Sequence, residues 1–203
     1  MADESAELRH ARPRGPRSNW VPLGVSVVVV AVLTGGWAAV NAALPATESM
    51  TSGHSMTLGS GEGYEASVTF DEGWELDKGA SSQGQRYLFT KGPVNLHLAV
   101  VHPPQRATAT DLWDGMRDTV RVDDTGARLN DPEPITSDRG AEGLTGDLHI
   151  HRHTGTATIF PAPSGDFAVE AQAVGADASP AELADAENLV ESITFDRARG
   201  GNT

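Results

Sequence analysis

Residues 64–76 read Tyr-Glu-Ala-Ser-Val-Thr-Phe-Asp-Glu-Gly-Trp-Glu-Leu, and their apolar positions recur with a period of two. Successive side chains of an extended chain point to opposite faces. Tyr64, Ala66, Val68 and Phe70 therefore share one face, and Glu65, Ser67 and Thr69 the other. One apolar and one polar face mark a half-buried strand of an antiparallel sheet. Asp71-Glu72-Gly73 supplies a turn, and Trp74 and Leu76 resume the apolar parity.

Working outward toward the C-terminus, residues 86–90 and 94–101 predict a hairpin around Lys91-Gly92-Pro93. Leu96, Leu98 and Val100 share a face opposite His97. A helix follows, opened by the capping pattern Thr108-x-x-Asp111. Leu112, Trp113, Met116 and Val120 fall on one helical face. Trp74 and Trp113 both sit in the apolar register of their elements and are expected in the core. Residues 126–147 are rich in glycine and proline, with short strands expected near 134–136 and from Leu144 onward. The run 147–153 alternates, with Leu148 and Ile150 opposite His149, His151 and His153. Residues 156–160 and 167–174 predict a second hairpin around 161–165. The last helix is signalled by Ser179 at the N-cap, Pro180 at N1 and Glu182 closing a capping box. Leu183, Ala186, Leu189, Val190 and Ile193 form its stripe. The expected fold class is α+β: an antiparallel sheet covered by two helices over residues 63–197, with 198–203 as a disordered tail.

Toward the N-terminus, residues 46–62 are rich in Ser, Thr and Gly without an apolar period, and read as a flexible linker. Before it, Val21–Leu44 reads VPLGVSVVVVAVLTGGWAAVNAAL, with no charged side chain. As a helix this run spans about 36 Å, more than the roughly 30 Å hydrocarbon core of a bilayer. The sequence therefore predicts one transmembrane helix over 20–45, preceding the sheet domain. Arg9, Arg12, Arg14 and Arg17 lie just before it, and the first ionisable residue after it is Glu48. The positive-inside rule then places tail 1–19 in the cytoplasm and the domain outside, in a single-pass protein of the cell membrane. The rival reading is a cleaved signal peptide ending near Val40-Asn41-Ala42.

Composition narrows function. Cysteine is absent, which excludes disulfides, thiolate metal sites and a cysteine nucleophile. The net charge of −13 is concentrated after residue 45, which carries −14 while residues 1–19 carry +1. Such a surface repels nucleic acid, so no nucleic-acid partner is expected. There is no G-x-S-x-G, H-E-x-x-H or P-loop, and Gly59, Gly61 and Gly63 lack the context of a nucleotide-binding loop.

The succession Tyr64…Phe70-Asp71-Glu72-Gly73-Trp74, hairpin, helix, hairpins, and a final helix ending Val190-Glu191-Ser192-Ile193-Thr194-Phe195 resembles exported actinobacterial proteins of the PsbP-like fold, including LpqN-like lipoproteins. An arginine-rich, lysine-poor composition has the same bias. The resemblance spans roughly residues 62–196. It implies an α/β/α sandwich serving as a binding or accessory module, with no catalytic residues to carry over. The lipoprotein cysteine is missing, so that mode of anchoring is not implied.

Two groups of side chains point to metal chemistry. If 147–153 is one strand, His149, His151 and His153 share a face at about 6.6 Å spacing, and imidazole suits Zn, Cu or Ni. His97 or His102 can approach from another strand. The same three residues also read as an ordinary polar outer face. Met50, His54 and Met56 offer thioether and imidazole ligands suited to Cu(I), or are incidental residues of a linker. The expected function is a non-enzymatic, membrane-anchored binding or accessory protein of the bacterial envelope with a protein or small-ligand partner. The alternative is a metal-binding module using the His-x-His-x-His strand, and the third is a hydrolase of envelope material.

Overall fold

The computed structural model describes residues 46–123, 125–151 and 153–198. In chain order the elements are β1 (Thr47–Ser49), β2 (Ser55–Gly61), β3 (Tyr64–Thr69), β4 (Glu75–Ser82), β5 (Arg86–Lys91) and β6 (Val94–Val101). Then come α1 (Ala109–Asp123), β7 (Arg128–Leu129), β8 (Glu133–Thr136), β9 (Glu142–Ile150), β10 (His153–Pro161), β11 (Ala168–Gly175), α2 (Pro180–Glu191) and β12 (Thr194–Arg197). Nine strands form one antiparallel sheet in the order β1-β4-β5-β6-β11-β10-β9-β7, with β8 also paired to β9. A second sheet has the order β12-β3-β2.

The domain is thus mostly β, and the α+β class and α/β/α sandwich are corrected. The described helices are only 15 and 12 residues long, against twelve strands in two sheets. At 1.5 Å per residue neither helix exceeds about 23 Å, short of a bilayer core. No helix among the described residues is long and apolar enough to cross a membrane. The span expected over 20–45, with the 1–19 tail and the orientation drawn from them, lies outside the described residues. The transmembrane helix, the membrane as partner and the single-pass location rested on the hydropathy of that run and on the arginines before it. They have no support in the fold and are withdrawn.

The linker expected over 46–62 is part of the domain. The Met50 N–H donates to Trp74 O at 2.7 Å, and the Gly53 N–H to Phe70 O at 2.8 Å. Leu58 of β2 is 1% exposed, and Tyr87 Oη donates to Leu58 O at 3.1 Å while accepting from Gly84 N. Backbone pairing with β3 orders a stretch whose composition reads as loop.

Two cores lie on opposite faces of the large sheet. On one face, Tyr87, Phe89, Leu96, Leu98, Val169, Ala171 and Ala173 pack against Ala66, Val68 and Phe70 of the small sheet and Ala186, Leu189 and Val190 of α2. Ser192, at the end of α2, accepts from Thr69 N–H at 3.1 Å and lies 3.0 Å from Thr69 O, fixing the helix to β3. On the other face, Trp113, Met116 and Val120 of α1 cover Leu148, Ala157, Ile159 and Ala168. Both predicted helical stripes face the core, buried except for the partly exposed Leu112 and Leu183, and Trp74 and Trp113 are core residues at 1% and 0% exposure. Gly146 makes room for the indole: a Cβ there would stand 3.0 Å from Trp113 Cζ2.

Candidate functional site

Each face of the large sheet is apolar over one half and polar over the other. On the face carrying α2, the register runs Leu98–Ala171–Thr158–Thr145–Glu133 and Leu96–Ala173–Thr156–Asp147 across β6, β11, β10, β9 and β8. The side chains change from aliphatic to hydroxyl to carboxylate at β10, where cover by the small sheet and α2 gives out. A cleft of about 620 Å³ opens there.

Its floor is Thr145, Thr156 and Thr158, with the Thr145 and Thr158 hydroxyls 2.9 Å apart. Glu187, Val190 and Glu191 of α2 form one wall, and Asn130, Asp131, Glu133 and Asp147 the other. Among the described residues no Lys or Arg lines the cleft. Arg117, outside it, contacts Asp131 at 3.1 Å and Asp114 at 3.4 Å. Asn130 Nδ2 donates to Asp147 Oδ2 at 3.3 Å.

The charges on the α2 wall oppose folding. Glu187 and Glu191 are four residues apart on one helix, where like charges repel. Both stand at its C-terminal end, the negative pole of the helix dipole, and no basic residue occupies its last turn. Partial burial, Glu191 and Asp147, in that order, push the Glu187 pKa up.

The sequence-predicted histidines fall elsewhere and apart. The chain reverses inside the expected strand: Ile150 of β9 pairs with His153 of β10, and His151 lies in the turn with φ +54°. His149 shares the face of its register partners Thr154 and Arg128, whereas His153 shares the opposite face with Ile150. The three do not occupy one strand face. Nor do the other histidines join them: His97 sits on β6, and His102 Nε2 lies 3.4 Å from Ser60 O. Met50 is buried in the core, Met56 packs against it, and His54 is exposed. Among the described residues no group of three or more His, Asp or Glu side chains is placed to hold a metal.

Ser164, Asp166 and His102 have the residue types of a hydrolase triad in the wrong arrangement. The serine hydroxyl bonds to the carboxylate itself, which also accepts from Glu62 N–H at 2.6 Å. Desolvation opposes ionisation of Asp166, but the Ser164 hydroxyl, the Glu62 and Asp166 N–H groups and His102 together hold its pKa below the usual range. With no base on the serine among the described residues, this cluster ties the β2–β3 turn to the β10–β11 turn. Gly61 leaves room for it, since a Cβ there would strike Asp166 and Phe167.

The cleft escaped sequence reasoning because its lining comes from β8, β9, β10 and α2, and from loop residues 130–131. The only local signal was two glutamates at the end of a helix lacking a basic residue. No family model matches the chain. No curated protein matches it either. Fold and site define a mostly β domain with one hydroxyl-floored, carboxylate-walled cleft.

Proposed function

We propose that this protein is a non-enzymatic binding module whose cleft takes a small ligand bearing an ammonium or guanidinium group. One observation carries the reading: a concave space of about 620 Å³ has hydroxyls on its floor, carboxylates on both walls and, among the described residues, no cation lining it. A cleft of this size suits a small molecule rather than a protein surface. Burial of a cationic group beside Glu187 and Glu191 offsets three repulsions at once: helix dipole, like-charge pair and Asp147. Asp131 has Arg117 as its counter-ion, but Glu187, Glu191, Glu133 and Asp147 form no ion pair among the described residues, and carboxylates crowded in this way are more readily explained by a ligand than by folding. The Ser164–Asp166–His102 arrangement supports a binding rather than a hydrolytic role, since nothing activates the hydroxyl.

Calorimetric titration of the full-length protein with spermidine tests this. Saturable binding is expected, weakened at least tenfold by the double substitution Glu187→Gln/Glu191→Gln. Affinity should rise with pH through the Glu187 titration, because the ionised carboxylate binds the cation. Binding weaker than millimolar, or indifferent to the double substitution, contradicts the reading.

A further inference from the structure

The other face of the large sheet carries an unused pair of charges. Among the described residues, helix α1 covers β7, β9, β10 and the start of β11 at Ala168 there, and leaves the rest of β11, most of β6 and β5 without a covering element. On that open strip the register places Arg86 of β5, Ala99 of β6 and Glu170 of β11 in one cross-strand row. Two strand spacings separate the ends, about 9.6 Å. Next to Glu170 in the same row is Ile159, which belongs to the core under α1. The carboxyl therefore stands at the border between that apolar core and the open strip.

Glu170 makes no hydrogen bond or ion pair among the described residues, and burial pushes its pKa up to about 7. Carboxyls so placed are almost always paired. Arg86, exposed at the other end of the row, forms no ion pair among the described residues either. Between them Ala99 has the shortest chiral side chain and leaves a dip in the floor. Diagonal to both ends lies His97, whose pKa is lowered by desolvation and then by the Arg86 guanidinium. Both effects favour the uncharged ring. Gln172, beside Glu170 on β11, adds an amide to the strip.

We propose that the row Arg86–Ala99–Glu170 is a second binding site, for a small amphoteric ligand of the amino-acid class. Its carboxylate meets Arg86, its ammonium meets Glu170, and its carbon chain lies over Ala99. Opposite unpaired charges held two strands apart over a small residue match a ligand with opposite charges at its two ends. The site lies on the face of the sheet opposite the carboxylate-walled cleft and does not depend on it.

The test is an NMR titration of the full-length protein with γ-aminobutyrate, with butylamine and butyrate as half-ligands. Saturable shifts of the Arg86, Ala99 and Glu170 amides are expected at millimolar concentration, with either half-ligand binding at least tenfold more weakly. Glu170→Gln should weaken γ-aminobutyrate at least tenfold and leave butyrate unchanged, whereas Arg86→Gln should weaken both. Circular dichroism of the two variants keeps loss of fold distinct from loss of the site. Half-ligands that bind as well as γ-aminobutyrate, binding unaffected by either substitution, or no shift in this row would each overturn the proposal.

Discussion

Glu170 is the residue whose environment most opposes its charge. Its carboxyl titrates at about 7 in the fold against 4.5 ordinarily. Below the ordinary value both folded and unfolded chains are protonated, and the residue imposes no cost. As pH rises from about 4.5 to 7 the unfolded chain ionises first, so stability is lost, and the loss is complete above 7. The shift corresponds to about 3 kcal/mol at most. Glu170→Gln is therefore expected to raise stability at pH 8 by up to that amount and to change it little at pH 4, as read by urea unfolding at both. A second test concerns Gly146. Gly146→Ala drives a methyl toward the Trp113 ring, 3.0 Å away. Overpacking of this kind typically costs roughly 1–3 kcal/mol. Tryptophan fluorescence during urea unfolding should register both the loss and a displaced indole. Neither residue advertises its role in sequence: Glu170 occupies an alternating strand position that normally faces water, and Gly146 resembles any loop glycine.

Among the elements, those with local chemical punctuation were legible and those defined by partners were not. The capping box of α2 forms as expected: the Glu182 N–H donates to Ser179 Oγ, and Glu182 accepts from the Ser179 N–H at 2.7 Å. Ser179→Ala should cost about 1 kcal/mol in thermal or urea unfolding. The hairpin β5–β6 forms around Gly92, whose φ of +56° a turn with glycine supplies. Strand β2 had no such signal. Its alternation is broken by glycine and serine, and its pairing shifts register between Thr57 and Gly59. The β3 backbone, the core beneath Leu58 and the Tyr87 hydroxyl on Leu58 O order it. Leu58→Ala is thus expected to destabilise the domain by about 2–5 kcal/mol, a core-cavity cost, where a flexible linker would show almost none. The His149–His153 run misled for the converse reason: its alternation was genuine, but a reversal at His151, with no glycine to announce it, sends the second half back along its own partner.

For the molecule as a whole, the large sheet is polar and apolar in opposite halves of its two faces. Strand β10 crosses the boundary and reads as almost continuously buried from Ala157 to Phe160. Neither polar half is legible from any one segment, since alternation within a strand does not say which face its neighbours leave open. Sequence therefore predicted an antiparallel sheet and most of its hairpins, but not the second sheet, the predominance of strands or the cleft. That cleft sits where α2 gives out over Thr145, Thr156 and Thr158, and its walls carry the negative charge that folding alone does not favour. Chemical-shift mapping of the full-length protein during a spermidine titration tests the central claim most directly. The account predicts saturable shifts concentrated at those three threonines and at Glu187 and Glu191, abolished in Glu187→Gln/Glu191→Gln. Shifts scattered over the acidic surface with these five residues unmoved would contradict it.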